Sequence, residues 1–175
     1  MKTIQKLLQE VSTSRSLYLD QLANISEAQA IWKPDPEVWN VIEITEHLFW
    51  AEQSGIFGMW KTLHAIRNGI IVRTYESPHK NMPIEQIINI TWQAKEKVPA
   101  VAVPRLGGPL SFWKHSLNSL QFVLEAFGEE MQEEELRIQA QPHPISGPLD
   151  FHQRLEFLRF HLDRHREQVS WLLRS

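Results

Sequence analysis

Apolar side chains recur along most of this chain in alternating steps of three and four, the spacing that gathers one face of a helix turning every 3.6 residues. Ile4, Leu8, Val11, Tyr18, Leu22 and Ile25 form the first stripe and predict a long amphipathic helix ending near Asn24. Ser26 with Gln29 three residues on has the form of a capping box, so a single short turn of helix is expected before the break at Lys33-Pro34-Asp35-Pro36. The signature returns at Asn40 and Glu43 and opens a second long helix, which Asn68-Gly69 stops after about Arg67. Residues 70–83 contain Pro78 and Pro83 and no helical rhythm, and read as a connection. A shorter helix is expected over residues 84–98, with Pro83 at its start. Residues 99–109, with Pro104 and Gly107-Gly108, read as a second irregular connection. Trp113, Leu117, Leu120, Leu124 and Phe127 mark the third long helix, and the acidic run 129–135 after it reads as a solvated helix end and loop. The proline-rich segment 141–148 leads into a last helix over residues 149–174.

No pair of strands joined by turn residues and no fixed repeat interrupts this pattern, so the chain reads as all-α. Four long amphipathic segments bury their seams best against one another, as a four-helix bundle with an extra helix in the connection between the second and third. That connection is far too long for a hairpin, so the two helices it joins are free to lie parallel.

At 175 residues the chain suits one domain, residues 1–175, since two halves would each be too small for a good core. Hydrophobic residues at 42% and charged residues at 22% exclude disorder. A net charge of -3 with no clustered Lys and Arg argues against nucleic acid as a partner. The opening segment MKTIQKLLQEVSTSRS turns polar too early for a signal peptide, and no run of about 18 apolar residues is present to cross a bilayer, so a cytoplasmic protein without a membrane partner is expected. The absence of cysteine removes disulfides, thiolate metal sites and a cysteine nucleophile, and leaves any metal to His, Asp or Glu.

The last helical seam reads Phe151, Leu155, Leu158, Leu162, His165, Val169 and Leu172, so His165 stands where the rhythm asks for a buried apolar side chain. A buried imidazole loses water from its nitrogens and needs a hydrogen-bond partner or a metal. His161 lies one turn earlier on the same face, at the spacing that lets two rings share one ion. Zinc sites use at least three protein ligands, so another helix must contribute. His47 lies on a line of Ile44, His47, Ala51, Ser54 and Gly58, whose small members leave space beside the ring. His47, His161 and His165 would make a three-imidazole site drawn from two helices, with coordination positions left for water or substrate. His64, His79, His115, His143 and His152 read instead as exposed or locally bonded. Glu43 reads first as the reciprocal half of the Asn40 cap, and Asp163 as solvated or paired with an arginine. Neither is assigned as a general base, and no catalytic side chain is assigned.

The runs Trp39-Asn40-Val41-Ile42-Glu43-Ile44-Thr45-Glu46-His47-Leu48, His143-Pro144 with Gly147, and Phe157-Leu158-Arg159-Phe160-His161-Leu162-Asp163-Arg164-His165 resemble the DinB-like superfamily, in particular its YfiT-like group of metal-dependent hydrolases. The resemblance spans nearly the whole chain. It implies an up-down-down-up four-helix bundle and a divalent metal, commonly nickel or zinc, held by the residues that match by position, His47, His161 and His165. It also implies frequent homodimers. Some members of the family are thiol S-transferases that join a low-molecular-weight thiol such as bacillithiol or mycothiol to an electrophile. The helix over 84–98 and the connection 99–109 depart from the simplest members, which leaves open whether the insertion forms a lid or a dimer surface.

Two functional readings follow. In one, a metal on three neutral imidazoles activates water or a low-molecular-weight thiol toward a small-molecule substrate, giving a hydrolase or a thiol S-transferase. In the other, the bundle is a non-catalytic metal-binding or interaction module that uses its seven tryptophans for packing. A fourth protein ligand closing the site would favour the second.

Overall fold

The computed structural model describes residues 2–93 and 97–175. Its helices, in chain order, are α1 (Thr3–Gln21), α2 (Glu27–Ile31), α3 (Val41–Arg67), α4 (Ile84–Thr91), α5 (Leu110–Glu130) and α6 (Phe151–Leu172), with 3₁₀ turns at Ala100–Ala102 and Glu133–Glu135. Among the described residues the only β pairing is two isolated bridges, Gln139 with Asp150 and His143 with Gly147. No helix among them is long and apolar enough to cross a membrane.

Side chains that satisfy the free N–H groups set the helix starts. Ser26 with Gln29, Asn40 with Glu43 and Asp150 with Gln153 form reciprocal capping boxes at α2, α3 and α6. Helix α1 has no such cap of its own. Its Thr3 and Ile4 N–H groups donate to the Glu133 carboxylate at 3.1 and 3.0 Å. The acidic run after α5 is therefore more than a solvated loop. Arg67 at the end of α3 donates to buried Glu135 at 2.9 and 2.7 Å and to Glu130 at 3.0 Å, so the arginine brought there by the fold draws the carboxylates inward.

Helix α4 is shorter than the 84–98 stretch its sequence suggests. It ends at Thr91, and Trp92 is extended, with its Nε1–H donating to Ser146 Oγ at 2.9 Å and its ring set against Phe157. Anchoring that indole on the 141–148 loop takes the place of another helical turn. Residues 94–96 of the expected helix lie outside the described residues.

The four long helices enclose the main core, in which Ile44, Met59, Leu117, Phe127, Phe151 and Leu155 are fully buried. Pairs of contacts along the helices give their senses. Tyr18 meets Thr45 at 2.8 Å while Arg15 bonds to Glu52, so α1 and α3 run in opposite directions. Trp50 lies by Trp113 and Trp60 by Phe127, so α3 and α5 run together. His47 meets His161 while Gly55 faces Arg154, so α3 opposes α6. The first and last long helices thus point one way and the middle two the other. A smaller apolar cluster of Ile84, Ile87, Ile88, Leu149 and Phe157 docks α4 on α6.

Candidate metal centre

His47 is in the second turn of α3, and His161 and His165 are successive turns of α6, each on the face turned toward the other helix. Their relative exposures are 5%, 7% and 7%. The Nε2 atom of His161 lies 3.2 Å from that of His47 and 3.1 Å from that of His165. Metal–nitrogen bonds are about 2.0–2.1 Å, so separations of this size are spanned by one shared ion.

Outer partners settle which nitrogen is available. His47 Nδ1 lies 2.8 Å from the carbonyl oxygen of Ala102, which only accepts, so Nδ1 carries the proton and Nε2 a lone pair. His165 Nδ1 donates to Gln168 Oε1 at 2.7 Å with the same result. Burial makes the charged form of all three rings unfavourable and lowers their pKa values, that of His165 to about 3, where the neighbouring His47 adds to the effect. Neutral rings, with the Nε2 lone pairs of His47 and His165 fixed inward, are what metal ligation requires. The donor set therefore fits a divalent ion. Among the described residues these three are the only group of His, Asp and Glu side chains placed to share one.

The connection between α4 and α5 is fastened to α3 beside this point. Glu46, next to His47, accepts the backbone N–H groups of Arg105, Leu106 and Gly107 at 2.8 to 2.9 Å, and the Trp50 indole N–H at 3.1 Å. The carbonyl that fixes His47 comes from the same connection. Its residues Lys97, Pro99 and Val101 form one wall of a cavity of about 230 Å³ into which the three imidazoles face. Ala51 and Ser54 form the floor along α3, as their small size in the His47 line suggests. Trp92 and Phe157 supply aromatic walls, and Phe157 stacks on His161 at 5.3 Å between centroids. The lining reaches exposed residues at Lys97 and Arg164, so the cavity communicates with solvent.

The five remaining histidines divide. His64 and His115 are exposed, next to Glu130 at 2.6 Å and Ser111 O at 2.7 Å, and His152 lies 3.6 Å from Glu156. His79 is buried, and its Nε2 donates to the distant Ser146 carbonyl at 2.9 Å. His143 is buried as well and lines the cavity. Its Nδ1 accepts the N–H groups of Ile145 and Ser146 at 3.2 and 3.1 Å, which places the proton of the neutral ring on Nε2. Burial, then the charge of Arg154, pushes this ring down to about 3. Glu43 stays in its cap and pairs with Lys33 at 2.7 Å, and Asp163 lies 3.8 Å from both Arg159 and Arg166.

Sequence reasoning missed His143 as a cavity residue and did not single out Arg154. For Arg154 a signal exists. Arg154, Phe157, His161, Arg164 and His165 all line the cavity, and steps of three and four from His161 back along α6 reach Phe157 and then Arg154. For His143 no periodicity exists, because it is placed by a tight loop closed through its own N–H and C=O to Gly147, whose φ is +72°.

A sequence profile of the DinB superfamily matches residues 10–169. Among solved structures, the crystal structure of a conserved protein from Enterococcus faecalis is similar to this chain, with 15% identity and a TM-score of 0.51 over 98% of this chain and 95% of that one. That likeness bears on the fold. No curated protein matches.

Proposed function

Because the chain belongs to the DinB superfamily, we propose that it is a metal-dependent enzyme in which His47, His161 and His165 hold a divalent cation, nickel or zinc, and that its reaction joins a low-molecular-weight thiol to an electrophile, with hydrolysis as the alternative. The observation that carries this reading is the convergence of three neutral imidazoles, with no fourth protein ligand among the described residues, on a cavity that communicates with solvent. A divalent cation bound there supplies positive charge that lowers the pKa of a water or thiol brought against it.

The lining favours the thiol. No described residue around the cavity is a carboxylate, so nothing there has the ordinary character of a general base. His143, held near 3, is neutral at physiological pH and serves as a donor through Nε2–H instead. A thiol ionises near 8.5 and needs far less assistance than water, which ionises only in far stronger base. Trp92 and Phe157 offer apolar surface to an organic electrophile and limit water around it.

The test is thioether formation from a bacillithiol-like donor and chlorodinitrobenzene, using untagged, metal-loaded protein. The sulfur–carbon bond forms, chloride leaves and the thiol proton passes to solvent. Turnover is expected with wild-type protein and loss to background with His161→Ala. Equal turnover in the two proteins overturns the reading. Hydrolysis of activated esters by the loaded protein, with no thioether formed, would select the hydrolytic alternative.

A further inference from the structure

Arg154 is 7% exposed and lines the cavity beside His143 and Phe157. Its Nη1 is fully buried and has no hydrogen-bond partner, and among the described residues it joins no ion pair. The other buried guanidinium of the bundle is handled differently: Arg15 is bonded to Glu52 and Gln121. Burial alone lowers Arg154 to about 10, so it remains a cation at neutral pH. An isolated buried charge is costly unless something pairs with it. Around it the cavity presents Arg164, Lys97 and the Nε2–H of His143, and no carboxylate among the described residues. Every charged group on the described walls has the same sign.

We propose that Arg154 is the anchor for a carboxylate on the substrate, so that the cavity takes small organic carboxylates whose apolar body lies along Trp92 and Phe157 and whose other end reaches the three histidines. The guanidinium fork matches a carboxylate with two parallel N–H···O bonds, and charge assistance makes such bonds stronger than neutral ones. Arg154 stands seven residues before His161 on α6, which is two turns and almost the same face. At a rise of about 1.5 Å per residue the anchor is about 10 Å along the helix from His161, the length of a small molecule. The inference rests on the reading of this cavity as the substrate site, but it concerns which molecules enter rather than what is done to them.

The probes are benzoate and its neutral isostere benzamide, titrated calorimetrically into the full chain, both metal-loaded and chelator-stripped. Benzoate is expected to bind at least about tenfold more tightly than benzamide in both forms. In Arg154→Gln, checked for native circular dichroism, the preference should collapse to within about twofold, with metal stoichiometry unchanged. Arg154→Lys keeps the charge without the fork and should fall between; it is the variant to read if Arg154→Gln does not fold. Equal binding of the two probes to wild-type protein, or a benzoate preference that survives Arg154→Gln, overturns the proposal. A preference present only in metal-loaded protein places the carboxylate on the ion and overturns it as well. Should metal binding and thiol transfer fail while the stripped protein still shows an Arg154-dependent preference, the proposed reaction falls and the anchor stands. If they succeed without that preference, the anchor alone falls.

Discussion

His47 and His165 each turn Nδ1 toward an oxygen, and that contact leaves Nε2 as the donor atom. The Gln168 amide therefore orients His165 without facing the cavity, and Gln168→Leu should weaken metal affinity about ten- to a hundredfold, measured by chelator competition, while the helix stays intact. His143 and His165 are held at about 3 in the folded protein, against 6.5 for an ordinary imidazole. Between those values the unfolded chain binds more protons than the folded one. The stability contributed by the neutral rings is therefore complete above about 6.5 and is lost as pH falls toward 3. Urea titrations of chelator-stripped protein should show unfolding free energy declining steadily from pH 7 to pH 4; a flat profile would mean these rings are not buried and neutral. That His161 and His165 share a face is readable in the sequence, because a histidine breaks an otherwise apolar seam. Arg154 falls on that face by the same steps, but an arginine in a helix is ordinary until a cavity is found beside it.

Helix ends follow local chemistry where a capping side chain is available and tertiary contacts where it is not. The Asn40 and Glu43 cap is legible from residue types alone, and its bonds of 2.9 and 2.8 Å hold the start of the helix that carries His47. Asn40→Ala should cost about 1 kcal/mol of stability, seen in denaturant unfolding, with metal content unchanged. The end of α4 is not legible, since Trp92 leaves the helix to reach Ser146, a partner more than fifty residues away in sequence. Nor is the tether formed by Glu46, whose three backbone partners lie on a connection with no regular pattern. Removing it by Glu46→Ala should leave Arg105, Leu106 and Gly107 without their acceptor and speed proteolytic cleavage within residues 97–109. Unchanged cleavage would show that the connection is held by other contacts. As this stretch walls the cavity, its loosening should also raise the KM for substrate.

The bundle as a whole is held by an apolar core whose many members flank the three histidines without depending on them. Chelation should leave the far-UV circular dichroism unchanged and lower only the melting temperature, because an ion bound to the folded state adds stability by mass action. The parallel run of α3 and α5 is foreshadowed by the length of the connection between them, and the all-helical class by the seams. The position of that connection over the cavity is set by long-range bonds to His47 and Glu46, which no local pattern encodes. The reaction proposed for the cavity requires the three imidazoles to hold one divalent ion. Elemental analysis of untagged protein, dialysed after exposure to zinc or nickel, tests this for wild type, His161→Ala and His165→Ala. One ion per wild-type chain and none in either variant is expected, all three remaining helical; equal metal content in wild type and variants would show that these rings hold no ion.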